Sequence, residues 1–136
     1  MDNQSENGMT GRCLCGAVDF KIDGKLRPVS NCHCSQCRKT TGHFGAFTAV
    51  DRKDLSFNED KGLKWFQSSE SARRGFCQEC GSTLFFDMPE RDIIAIAAGS
   101  LETPTGLSTS SHIFVDDKGD YYEISDDLPQ HAQYWK

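Results

Sequence analysis

Seven cysteines fall into three tight groups: Cys13-Leu14-Cys15, Cys32-His33-Cys34-Ser35-Gln36-Cys37 and Cys77-Gln78-Glu79-Cys80. An odd count strands one thiol in any disulfide framework, so the grouping points to metal. It divides into four ligands plus three. Four thiolates close a tetrahedral zinc site, whereas three leave one position open for chemistry. In Cys77-x-x-Cys80 the two spacer residues let both sulfurs turn toward one ion, at about 2.3 Å each. Gly81 follows and can take the positive φ needed where the chain turns away from the metal. Cys13-x-Cys15-Gly16 offers a second pair, because residues two apart share a strand face and a bent strand end lets them chelate. Joining the pairs pins residue 15 to residue 77 around one ion. Structural zinc contributes on the order of 10–16 kcal/mol to folding. Four thiolates suit iron as well as zinc.

Cys32, Cys34 and Cys37 lie within six residues, too close to serve distant sites. If they share a second zinc, the fourth ligand is water, substrate, or a side chain such as His33, His43 or His112. Three thiolates outweigh the charge of the ion and leave a weak Lewis acid, less suited than a His-rich site to making hydroxide. Such a site can still hold a bound thiol as thiolate, so thiol chemistry is the natural expectation. The alternative is a second structural or metal-buffering site closed by a histidine, in a protein that is not an enzyme. A thiol redox or chaperone-like module is a third reading. His33, between two ligands, points its ring away from the ion and is a candidate substrate contact or proton-transfer group. Arg38 and Lys39 after the last ligand, and Arg73-Arg74 before Cys77, are candidate carboxylate contacts by charge; a solvated charged face also accounts for either pair.

The rest of the composition narrows the setting. The 136-residue chain is one domain in size, with 37% hydrophobic residues and a formal charge of −5. Two zinc ions on seven thiolates take that to about −8, against the basic footprint of a nucleic-acid binder. The first eleven residues lack the apolar run of a signal peptide, and no stretch has the length of a membrane span. The expected address is the cytoplasm, where thiols stay reduced.

Strand signals dominate. Residues 17–22 alternate apolar and charged, and 44–50, 62–67 and 73–76 read as further strands. Segments 83–86 and 92–97 flank Met88-Pro89-Glu90 as a hairpin; 111–115 and 121–124 do the same around Asp116-Asp117-Lys118-Gly119. Helical turns are expected only at 35–41, stopped by Gly42, and at 51–55. The domain is expected over 11–136, with 1–10 a flexible tail and the last few residues loosely tied.

The chain resembles the glutathione-dependent formaldehyde-activating enzyme family, which includes centromere protein V. The resemblance rests on three stretches: Gly11-Arg12-Cys13-Leu14-Cys15-Gly16-Ala17-Val18, Cys32 through Gly42, and Phe76-Cys77-Gln78-Glu79-Cys80-Gly81-Ser82. Ser111-His112-Ile113-Phe114-Val115 and Asp126-Asp127-Leu128-Pro129 extend it. It implies a mainly β fold, a β-tent of twisted antiparallel sheets. It implies two zinc ions per chain: a structural one on Cys13, Cys15, Cys77 and Cys80, and a catalytic one on Cys32, Cys34 and Cys37. The implied reaction is a reversible carbon–sulfur lyase step that joins glutathione to formaldehyde as S-hydroxymethylglutathione.

Overall fold

The computed structural model describes residues 8–134. It holds ten strands: β1 (Met9–Arg12), β2 (Asp19–Ile22), β3 (Val29–Cys32), β4 (Gly45–Asp51), β5 (Leu55–Glu59), β6 (Leu63–Gln67), β7 (Arg73–Cys77), β8 (Thr83–Asp87), β9 (Ile93–Ala97) and β10 (Thr109–Ile113), with one short helix, α1 (Ser35–Thr41). They form a three-stranded sheet in the order β1-β2-β5 and a seven-stranded sheet in the order β10-β3-β4-β9-β8-β7-β6. All pairings are antiparallel except β10 on β3, which is parallel.

The period-2 pattern explains the core between the sheets. In β2 Phe20 and Ile22 are buried and Lys21 is exposed; in β9 Ile94 and Ile96 are buried and Ile93 is exposed. These side chains meet Val18, Leu84, Phe85 and Leu101 in one cluster, with the Phe20 and Phe85 rings 5.2 Å apart. Gly11 on β1 stands opposite Phe20 on β2 and bridges Leu101, and a Cβ on it would stand 2.5 Å from the Phe20 ring and 2.9 Å from the Ser100 carbonyl, so only glycine fits there. On the adjoining edge, fully buried Asp87 accepts hydrogen bonds from Arg52 (2.8 Å) and Arg73 (2.9 Å), tying β7 and β8 to the turn after β4.

The predicted hairpin of β8 and β9 is present, and residues 52–54 form a 3-10 turn inside the helical stretch expected at 51–55. Three expectations need correction. Residues 121–124 are not a strand, because the outer edge of β10 is taken by the C-terminal segment instead. Pro129 and Gln133 carbonyls accept from the His112 and Phe114 N–H groups, and the His131 N–H donates to His112. Residues 129–133 are therefore tied rather than loose. The expected tail yields to β1 at Met9, which is buried; residues 1–7 of that tail lie outside the described residues.

Candidate metal centres

The Sγ atoms of Cys13, Cys15, Cys77 and Cys80 lie within 4.8 Å of one another, and so do those of Cys32, Cys34 and Cys37. The four-cysteine group is built by two turns. The first leaves β1, with the Gly16 N–H bonded to the Cys13 carbonyl at 3.3 Å; the second leaves β7, with the Gly81 N–H bonded to the Cys77 carbonyl at 2.7 Å. Both glycines are left-handed, Gly16 at φ 87° and Gly81 at φ 83°, as a turn away from a shared centre requires. Leu14 N–H donates to Ser82 Oγ across the two arms at 3.1 Å.

These sulfurs fit zinc on distance. Zn–S bonds of about 2.3 Å at tetrahedral angles put sulfurs about 3.8 Å apart. Cys13 and Cys15 are 3.7 Å apart, and Cys15 and Cys77 are 3.8 Å apart. Backbone N–H groups of Val18 and Glu79 point at the sulfurs of Cys13 and Cys77 at 3.3 and 3.4 Å, an arrangement that favours thiolate. Ser82 contacts Cys80 Sγ at 3.2 Å and draws that thiol down to about 5.

The three-cysteine group is local. Cys32 ends β3, Cys34 caps the N-terminus of α1, and Cys37 sits inside it. Cys34 Sγ accepts from the Cys37 N–H at 3.3 Å. Hydrogen bonds from Cys32 and Cys37 hold Cys34 down at about 2, helped by the Cys37 N–H and Arg74, while Cys32 is pushed up by donating to its neighbours and by burial. Arg74 donates to Cys37 Sγ at 3.5 Å and is aimed there by Gln36 Oε1 at 2.9 Å.

A cavity of about 410 Å3 opens beside these sulfurs. All three cysteines line it, with Arg27, Arg74 and Arg91 as its cations and Phe47, Phe86 and Phe114 among its apolar walls. Of the contacts predicted from charge, only Arg74 lines it. Arg73 is spent on Asp87 and lies over the Trp65 ring at 3.8 Å. Arg38 and Lys39 lie on α1 outside the lining. Arg27, Arg91 and Tyr134 were not predicted; nothing near them in sequence marks them, and only the fold brings them to the cysteines.

His33 faces away from the cavity into a buried chain of hydrogen bonds. Its Nε2 lies 2.9 Å from His112 Nδ1, and His112 Nε2 lies 3.0 Å from the Asp126 carboxylate. Its Nδ1 meets the Tyr122 hydroxyl. The carboxylate can only accept, which fixes the direction: Tyr122 donates to His33, His33 to His112, and His112 to Asp126. Burial, then the neighbouring His112, lowers His33 to about 4, so the ring is neutral as this chain requires. The Leu128 N–H and His112 hold the Asp126 carboxyl below its usual range. His43 is bonded to Tyr121 at 2.8 Å. The three histidines offered as a fourth ligand thus have other partners, and none joins the cysteine group among the described residues.

Comparison with known proteins follows the same lines. The model of the family described as glutathione-dependent formaldehyde-activating enzyme matches residues 8–117. A Schizosaccharomyces pombe protein named an uncharacterized lyase is 32% identical over 117 residues, 85% of this chain and 84% of its own length. A Halomonas elongata protein named a putative glutathione-dependent formaldehyde-activating enzyme is 27% identical over 126 residues, 85% of this chain and 80% of its own. The crystal structure of a Rhodobacter sphaeroides protein superposes with a TM-score of 0.59 at 24% identity, covering 74% of this chain and 98% of that one. That last likeness concerns the fold alone.

Proposed function

The chain belongs to the glutathione-dependent formaldehyde-activating enzyme family, and on that premise we propose that it is a zinc-dependent carbon–sulfur lyase. Its reaction would join a thiol, glutathione first, to formaldehyde as S-hydroxymethylglutathione, reversibly. The observation that carries this reading is the three-cysteine group itself. Three sulfurs converge on one wall of a 410 Å3 cavity with no fourth side-chain ligand among the described residues. Cys13, Cys15, Cys77 and Cys80 would hold the structural zinc and Cys32, Cys34 and Cys37 the catalytic one. Zinc bound there supplies a coordination position that keeps a substrate sulfur as thiolate.

The chain's own residues do the rest. Arg74 counters the charge of the group through Cys37. Arg27 and Arg91 place positive charge on the cavity wall, where a carboxylate of the thiol substrate would be held. Phe47 and Phe86 supply apolar wall to the cavity, against which sulfur and carbonyl would meet in one orientation rather than by chance encounter. His33 acts on the ligand loop from behind, through its hydrogen bonds, rather than on substrate. Seven free thiols suit the reducing cytoplasm, and no helix among the described residues is long and apolar enough to cross a membrane.

The test is zinc per chain in freshly purified protein, repeated after equilibration with glutathione, followed by formaldehyde–glutathione exchange measured by NMR. Two zincs, one perturbed by the thiol, with exchange above the spontaneous rate, is the expected result. Two zincs indifferent to glutathione and no exchange would favour a metal-binding module without this activity.

A further inference from the structure

The proposed reaction needs a proton donor. As the substrate sulfur forms its bond to the aldehyde carbon, the C=O π pair moves onto oxygen, and that oxygen must be protonated. The thiol's own proton has already gone to solvent when the thiolate forms. The donor has to line the cavity and to release its proton more readily than an alcohol does.

The cavity contains few groups that qualify. Its three cations, Arg27, Arg74 and Arg91, are guanidiniums, which in general keep their protons in proteins. Ser30 is turned to Ser111, Oγ to Oγ at 3.2 Å. Serine hydroxyls in general are weak acids. Asp117 also lines the cavity, but carboxylic acids in general have already lost their proton at neutral pH, and the three cysteines are the proposed metal ligands. Tyr134 remains, a phenol with an ordinary pKa of about 10. We infer that Tyr134 is a catalytic residue, whose hydroxyl donates a proton to the aldehyde oxygen while the thiolate adds at the three-cysteine site. This rests on the reading of that site as a thiol–aldehyde lyase.

Geometry supports the assignment. Tyr134 and the three cysteines line one cavity. Its segment is strapped along β10 by the Phe114 N–H to the Gln133 carbonyl at 3.0 Å and the Val115 N–H to the His131 carbonyl at 3.1 Å. Its ring stands edge-on to Phe114, centroids 4.7 Å apart at 79°. Phe114 also lines the cavity and adopts φ 55°, a left-handed conformation that bulky residues avoid unless the surroundings impose it. Burial, then Cys32, raises the Tyr134 phenol, with Arg91 opposing. The phenol therefore stays protonated at neutral pH. At 48% exposure, the spent phenolate can recover its proton from water. The residue lies beyond the 8–117 span of the family match, so the assignment comes from this fold.

The test is Tyr134→Phe, which keeps the ring on Phe114 and removes only the hydroxyl. Wild type and variant are compared by NMR exchange, zinc content, melting temperature and calorimetric binding. Expected is a kcat about 100-fold lower, with zinc content, melting temperature and glutathione affinity unchanged. The wild type should also bind the hydroxymethyl adduct, formed in place, about fivefold more tightly than S-methylglutathione, the value of one hydrogen bond, and the variant should lose that preference. A variant within twofold of wild type in kcat, or one retaining the preference, overturns the inference. A wild type without exchange refutes the lyase reading instead, and the binding comparison still decides whether Tyr134 contacts the hydroxyl.

Discussion

Replacing Cys15 and Cys80 together by serine isolates the contribution of the four-cysteine centre. One ligand is removed from each arm, and these are the less buried members, exposed and half-buried, whereas Cys13 and Cys77 stay in the core. Little packing is lost, and two remaining thiols cannot hold an ion. Cys15 and Cys77 are 62 residues apart in sequence. Closing a loop of that size restricts the unfolded chain by about 4 kcal/mol in the chain-entropy treatment, the least the tie contributes. Unfolding entropy of about 2.1 cal/mol/K per residue over 136 residues makes that a fall in Tm of about 15 °C. Calorimetric melts of wild type and variant at equal zinc activity give the comparison, with metal analysis showing one zinc fewer. A variant melting within about 3 °C of wild type would refute the reasoning, since the arms would then be held together without the metal.

The Cys34→Ser variant should lose exchange activity while melting within a few degrees of wild type, because the three-cysteine group closes only a six-residue loop; unchanged turnover would contradict the site. His33 carries a pH signature. Its folded pKa lies near 4, below the unfolded value of about 6.5, so the unfolded chain binds the extra proton. Stability should therefore decline as pH falls from about 6.5 toward 4 and then level off for this group. Urea midpoints across that range should fall less steeply in His33→Gln than in wild type. Asp87→Asn should cost about 2 kcal/mol in urea unfolding, below the usual cost of breaking a fully buried pair because Arg52 and Arg73 are 36% and 34% exposed. Zinc content should stay unchanged; a shift below 0.5 kcal/mol would mean the two arginines find other partners.

What was legible in the sequence divides by the range of the interaction. Ligand spacing is local, so both cysteine groups and the left-handed Gly81 could be read directly. Strands β2 and β9 announced themselves by alternation. β3 did not, because Val29-Ser30-Asn31-Cys32 is polar yet buried, its hydroxyl satisfied by Ser111 from 81 residues away. The 121–124 strand failed because competition for the edge of β10 is decided by packing: Tyr121 and Tyr122 turn their hydroxyls to His43 and His33, and Lys118 Nζ bonds to the Tyr122 carbonyl at 2.6 Å. The same range effect hid the cavity cations. Arg38, Lys39 and Arg73 were adjacent to ligands in sequence, whereas Arg27 and Arg91 reach the cavity only through strand order.

The contrast between the two cysteine groups also orders events during synthesis. All three sulfurs of the local group have been made by residue 37, before most of the sheet that will surround them exists. The other group cannot assemble until Cys80 has emerged and the turn after β7 has met the turn after β1. A nascent chain therefore presents a metal-competent triad early and a tetrad late. Occupancy of the tetrad marks a folded domain, and occupancy of the triad alone does not. One metal per chain thus describes two different states, distinguished by whether the metal sits in the early group or the late one.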